Sequence, residues 1–261
     1  KMSEQKTPPA EDVVMEPPVD LEQQLAKVEE ATEDTSSWKP KTSIGRKVKM
    51  GEITNIQDIL EKGLRISEQE IVDHLIPNGK TELLFIGQMK GKFGGGQKRA
   101  FKQTQKKTPE GNKPSFACYA AFGNENGIVG GGYGKSKDTV PSREKAIRNA
   151  KLNVFRIRRG CGSWQCGCGH AHSIPFTVEG KSGSCVMRLI PAPKGKGLIV
   201  EEECAKILKL AGIKDVWSKT FGQTREKQNL IKACLIALHK LSEMKIMHET
   251  KHKLGVIEGA K

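Results

Sequence analysis

Residues 124–159, NENGIVGGGYGKSKDTVPSREKAIRNAKLNVFRIRR, decide how the rest of the chain is read. They read as a strand, a glycine turn, a second strand, a lysine-bearing loop and a basic amphipathic helix. Asn126-Gly127 signals a tight turn, because both residues tolerate φ > 0. Gly130, Gly131, Gly132 and Gly134 remove side chains where another molecule's backbone could come close. Lys135 and Lys137 follow at once, and the helix after Pro141 adds Arg143, Lys145, Arg148 and Lys151. A glycine-thinned surface ringed with cations suits a phosphate backbone. The run GGGYGKS is a near miss for a nucleotide P-loop: Val129 stands where its first glycine is required. A P-loop helix starts at the lysine, aiming amides and dipole at the phosphate, whereas Pro141 and Ser142 start this helix well after Lys135.

Upstream, 53–61 reads as a helix closed by Gly63. A second helix, 68–75, carries a Ser67/Glu70 capping box and an Ile66/Ile71 staple, and stops before Pro77. Residues 82–89 read as a strand, 90–107 as a glycine-rich and then basic stretch, and 116–122 as a further apolar run. The order is α-β-β-β-α, that of the double-stranded-RNA-binding fold. In the last helix Ala146, Ile147, Ala150 and Val154 share one face and are core. Downstream, 173–178 and 185–190 alternate as strands, and 191–197 is a tight basic loop bearing Lys194 and Lys196. A helix at 202–210 ends at Gly212, 215–220 is a short strand, and 225–241 is a helix with Leu230, Cys234, Ala237, Leu238 and Leu241 inward. The fold class is therefore α+β in two successive domains. The expected divisions are an acidic disordered tail (1–37), a basic arm with helices (38–77), the double-stranded-RNA-binding-like domain (78–158), a second α+β domain (159–245) and a C-terminal tail (246–261).

The 124–159 stretch resembles the core signature of the small-subunit ribosomal protein five family. The resemblance continues through Arg158-Arg159-Gly160-Cys161-Gly162-Ser163-Trp164, His172-Ser173-Ile174-Pro175-Phe176, Arg188-Leu189-Ile190-Pro191-Ala192-Pro193 and Ala211-Gly212-Ile213-Lys214-Asp215-Val216-Trp217. It ends near Thr224-Arg225 and Asn229, so collinear blocks run from about Trp38 to about Leu241. The 160–176 segment is similar to the archaeal version. The resemblance implies a β-α-β layout with a left-handed crossover in the second domain. It implies a structural, rRNA-binding role in the cytoplasmic small ribosomal subunit, near the decoding region and the channel through which mRNA enters. It also implies contacts with small-subunit ribosomal proteins four and eight, an influence on decoding fidelity and mRNA unwinding, and no catalysis. Residues 108–113 align with the family's hairpin loop, where many members have paired arginines. Here Asn112, Lys113 and then Pro114 stand there, and 90–104 looks like an insertion. Lys98, Arg99, Lys102, Lys106 and Lys107 supply charge beside it.

Composition agrees with an anionic partner. The net charge is +14 over 261 residues. Residues 1–37 hold ten acidic and three basic residues, a net of −7, so the remainder carries +21. The tail reads as solvated chain. Aromatic residues are only 5%, which excludes a broad base-stacking platform. With no signal peptide and no long apolar span, a cytosolic chain with its seven cysteines reduced is expected, without membrane contact.

The candidate RNA contacts are Lys98, Arg99, Lys102, Lys106, Lys107, Asn112 and Lys113, then Gly131, Lys135, Lys137, Arg143, Lys145 and Arg148, and beyond them Arg156, Arg158, Arg159, Trp164, Lys194 and Lys196. A loop tryptophan stacks on a base or anchors its loop on its own domain. Cys161, Cys166, Cys168 and His172 are candidate ligands of Zn2+, with His172 preferred over His170 because it belongs to the HSIPF block. Gly167 permits the turn that Cys166 and Cys168 need to share one metal. The alternative is a glycine-rich loop of free thiols; RNA binding itself requires no cofactor. Two other functions fit the chain less well. The second domain's expected fold resembles that of galactokinase-type small-molecule kinases, but Gly197-Leu198 is followed by Ile199-Val200, without the hydroxyls of their phosphate loop. A free duplex-RNA regulator leaves the 160–229 blocks unexplained.

Overall fold

The computed structural model describes residues 38–87 and 98–259. The acidic tail, the end of the strand expected at 82–89, and residues 90–97 lie outside the described residues.

Three short helices come first: α1 (Ser43–Lys49), α2 (Ile56–Glu61) and α3 (Gln69–Leu75). Thr42 caps α1, its hydroxyl accepting the Gly45 N–H at 3.0 Å. Gly63, at φ 65°, follows α2 as expected, but α2 starts three residues later than its sequence suggested. The capping box on α3 does not form. The helix begins after Glu68, whose carboxylate accepts the N–H groups of Lys41 (3.0 Å) and Thr42 (2.6 Å). Glu68 thus satisfies amides at the start of α1 instead of those of its own helix.

The first sheet is antiparallel and built around one long strand. Its strands are β1 (Lys80–Leu84), β2 (Phe101–Thr108), β3 (Gly111–Gly123), β4 (Ile128–Ser136) and β5 (Val154–Arg156). β1 pairs with the second part of β3, from Leu84 opposite Tyr119 to Lys80 opposite Gly123. β2 pairs with the first part, from Phe101 opposite Cys118 to Thr108 opposite Gly111. The two therefore share one track along β3, end to end, bridged by Gly87 and Arg99. β4 lines the other side of β3 only from Phe116 to Gly123. The β2–β3 hairpin consequently projects beyond β4 as a two-stranded arm. Its tip is fastened by the Thr108 hydroxyl donating to the Gly111 carbonyl (2.6 Å) and by paired hydroxyls of Thr104 and Ser115 (2.8 Å). The stretch expected only as glycine-rich and then basic thus contains a full strand.

The β3–β4 turn departs in detail from the Asn-Gly expectation. The left-handed residues are Glu125 (φ 57°) and Gly127 (φ 91°), and Asn124 Oδ1 accepts the N–H groups of Asn126 (2.9 Å) and Ile128 (3.1 Å). Helix α4 (Thr139–Leu152) then crosses the sheet with Ala146 and Ala150 fully buried. Pro141 lies in its first turn, where a missing N–H costs nothing. Val154, expected on the same helix face, opens β5 instead.

After β6 (Arg158–Arg159) the chain builds a second sheet from β7 (Val178–Ser182), β8 (Cys185–Pro191), β9 (Leu198–Ile199) and β10 (Val216–Phe221), in the order β7-β8-β10-β9. β7 starts later than the strand expected at 173–178; Ser173 makes only a bridge to Gly160. β9 and β10 are parallel and joined by α5 (Glu202–Leu210), which gives a β-α-β unit. Helix α6 (Lys227–Glu243) packs on β7, where a Cβ on Gly180 would sit 1.9 Å from the Ala233 carbonyl oxygen.

Leu84, Tyr119 and Val129 of the first sheet belong to the same apolar cluster as Met187, Leu189, Ile207 and Leu238 of the second half. The two halves share a core. Residues 246–259 also differ from the tail expected there. Helix α7 (His248–Lys253) and β11 (Ile257–Glu258) fold back, and β11 pairs antiparallel with β6.

Candidate nucleic-acid interface

The expected RNA-binding residues divide into two groups. Lys106, Lys107, Asn112 and Lys113 lie exposed on the projecting hairpin. Lys135 and Lys137 are exposed at the end of β4, beside the base of that arm. Arg143, Lys145 and Arg148 are exposed along α4. Arg99 is exposed at the start of the hairpin. Lys113 pairs with Glu110 at 3.2 Å, a solvent-exposed contact of little worth. Among the described residues, none of Lys106, Lys107, Lys135, Lys137, Arg143, Lys145 and Arg148 has a carboxylate within ion-pair distance.

The second group is paired within the chain. Lys98 pairs with Glu202, and Lys102 Nζ with Glu226 at 2.9 Å, tying the hairpin's base to α5 and to the start of α6. Arg156 Nη1 lies 2.8 Å from Glu61. Arg158 Nε donates to Glu258 at 2.9 Å, and its Nη1 donates to the carbonyls of Leu241 and Met244. Arg159 is only 8% exposed and donates to Asn126 Oδ1 at 2.6 Å. Burial pulls its pKa below the ordinary arginine value. These cations stand at seams between elements, where internal carboxylates and carbonyls take them up.

The glycines also serve the chain itself. A Cβ at Gly130, Gly132 or Gly134 would fall 2.1–2.3 Å from backbone atoms of α4, and one at Gly131 would fall 2.3 Å from Leu235 Cδ1. The close backbone they admit is that of α4, with the Leu235 side chain of α6 at Gly131, so Gly131 is a packing position.

Between the two sheets runs the cysteine-rich loop. Trp164 is 87% exposed at its surface, and Lys194 and Lys196 are exposed on the neighbouring 191–197 loop. Cys161, Cys166, Cys168 and His172 bring one donor atom each to within 4.8 Å of one another. His170 is exposed, outside that group. The left-handed residue of the turn is Gly169 (φ 62°), not Gly167. Cys161 is buried, and its thiol is pushed up to about 11 by desolvation, with Cys168 adding to the rise. Cys166 falls to about 6, chiefly through the Lys194 backbone N–H and then Cys168. His172 Nδ1 contacts Asp215 Oδ2 at 2.8 Å, both side chains being buried. Asp215 Oδ1 accepts the Gly197 N–H at 2.8 Å. Asp215 escaped the sequence reading because its imidazole partner lies far upstream, with β7, β8, β9 and α5 between them.

Two sequence families match these halves separately. "Ribosomal protein S5, N-terminal domain" matches residues 100–158, and "Ribosomal protein S5, C-terminal domain" matches residues 180–251. The chain belongs to the ribosomal protein S5 family. Relatives named small ribosomal subunit protein uS5 are similar over most of its length. That of Nanoarchaeum equitans is 50% identical, over 85% of this chain and 96% of the relative. That of Methanocaldococcus jannaschii is 45% identical, over 85% and 95%. That of Methanococcus maripaludis (strain C7) is 43% identical, over 87% and 92%. These are archaeal proteins, in keeping with the resemblance of the cysteine-rich segment. Ribosomal protein S5 is a structural family and not an enzymatic one. Among the described residues, no helix is long and apolar enough to cross a membrane.

Proposed function

We propose that this chain is a structural, rRNA-binding component of the small ribosomal subunit. The observation that carries this reading is the run of exposed cations, without ion pairs among the described residues, from Lys106 and Lys107 of the hairpin arm through Lys135 and Lys137 to Arg143, Lys145 and Arg148. Such groups neutralise phosphates and release counterions, which holds neighbouring RNA segments in place without any chemistry. The order α3, antiparallel strands, α4, with β1 and β2 sharing one track beside β3 and β4, supports a double-stranded-RNA-binding-like first domain at 78–158, joined to a β-α-β second domain at 159–245. Lysines at the end of β4 suit phosphates across a duplex groove. Trp164, Lys194 and Lys196 form a second, smaller contact surface. In this reading the chain lies near ribosomal proteins four and eight and the path of incoming mRNA, where it affects decoding accuracy by electrostatics. No cofactor is required.

The test is sedimentation of native lysate at high salt, followed by titration of the Lys135→Ala, Lys137→Ala double variant with rRNA. The chain is expected to stay with the small subunit, and the variant's salt slope to flatten by about one unit per lost phosphate contact. A chain that runs free and binds generic duplex as tightly as rRNA would instead be a duplex-RNA regulator.

A further inference from the structure

The 160–172 part of the loop between β6 and β7 is poorly supplied with packing groups. Gly160, Gly162, Gly167 and Gly169 punctuate it, and Trp164, Gln165 and His170 point to solvent. Yet Cys161 and His172 are buried, and Cys166 and Cys168 are half-buried beside them. Apolar contact does not account for a loop so ordered around three sulfurs and an imidazole.

We propose that Cys161, Cys166, Cys168 and His172 hold one structural Zn2+ ion. The donor set is the Cys₃His shell of closed zinc sites. A tetrahedral ion with Zn–S bonds of about 2.3 Å separates its donors by about 3.8 Å. Cys166 Sγ and His172 Nε2 are 3.9 Å apart, and all four donors lie within 4.8 Å. The imidazole is oriented for the task. Asp215 occupies Nδ1, which leaves the Nε2 lone pair facing the sulfurs, the carboxylate–histidine arrangement of a zinc site's outer partners. The Cys161 thiol now donates to the Cys166 carbonyl at 3.0 Å. On loading, each coordinating thiol gives its proton to solvent and its sulfur turns to the ion. The consequence is mechanical. Asp215 also holds the Gly197 amide, so the ion fastens the Trp164 loop to the loop carrying Lys194 and Lys196. This centre goes beyond the RNA-binding reading and stands whether or not the chain binds RNA.

The experiment is metal analysis of the reduced, full-length chain purified without chelator, followed by exchange with Co2+. About one zinc per chain is expected, and the cobalt form should show the absorption of a tetrahedral thiolate-bound ion. Cys166→Ser should lose the metal and His170→Ala should keep it. Asp215→Asn should bind it 10–100-fold more weakly. If Cys166→Ser does not fold, the wild-type cobalt spectrum decides alone. A folded wild type that takes up neither metal under reducing conditions overturns the proposal, as does a disulfide joining Cys161 to Cys166 or Cys168 in the protein from cells.

Discussion

A methyl carbon added at Gly132 would stand 2.1 Å from the Ala150 amide nitrogen and 2.3 Å from the Ala146 carbonyl oxygen. Both are helix backbone and cannot swing aside. Gly132→Ala should therefore lower unfolding free energy on the order of 1–3 kcal/mol or more, read by denaturant titration. Gly167→Ala, which meets nothing within 4 Å and has no left-handed φ, should change it by less than about 0.5 kcal/mol. Equal effects would remove the distinction between packing glycines and a merely flexible loop glycine. The sequence shows where the glycines are but not what approaches them; a nucleic-acid backbone and a neighbouring helix impose the same demand on a side chain. Arg159 illustrates the same limit. It reads as one more cation in a basic run, and only the fold reveals that Asn126 and the returning C-terminal segment enclose it.

Among the elements, those buried on one face were the legible ones. α5 was read at its actual bounds and α6 within two residues, because Leu230, Cys234, Ala237, Leu238 and Leu241 recur at helical spacing. β2 was not legible. Most of it is exposed, so no alternation marks it, and backbone pairing with β3 alone makes it a strand. That same independence from the core allows a clean test. Replacing residues 104–115 by a two-residue Asn-Gly turn should leave the thermal midpoint within a few degrees of wild type. Binding to small-subunit rRNA should weaken at least tenfold, since Lys106, Lys107 and Lys113 go with it. Unchanged affinity would take the arm out of the interface. In the cysteine-rich loop the four donors were legible because they are close in sequence. The Asp215 partner was not, because only the meeting of β10 with that loop creates it.

For the whole molecule, the C-terminal segment and the shared core matter most. Val256 is buried, Glu258 takes Arg158, and Gly259 lies against the β3–β4 turn. Removing residues 246–261 should cost on the order of 2–4 kcal/mol and raise the protease sensitivity of the β6 region. A truncated chain as stable as the full one would make the segment dispensable. The mechanics of β3 complete the account. From Ala117 to Gly123 the strand is clamped within the core; from Gly111 to Pro114 it has only β2 beside it. It is a cantilever. A ribbon of two strands bends readily across its flat face and resists bending in its own plane, so load at the tip deflects it in one direction. The Lys102–Glu226 pair acts as a strut at the root. Whatever grips the lysines at the free end therefore pulls directly on the helices of the second half.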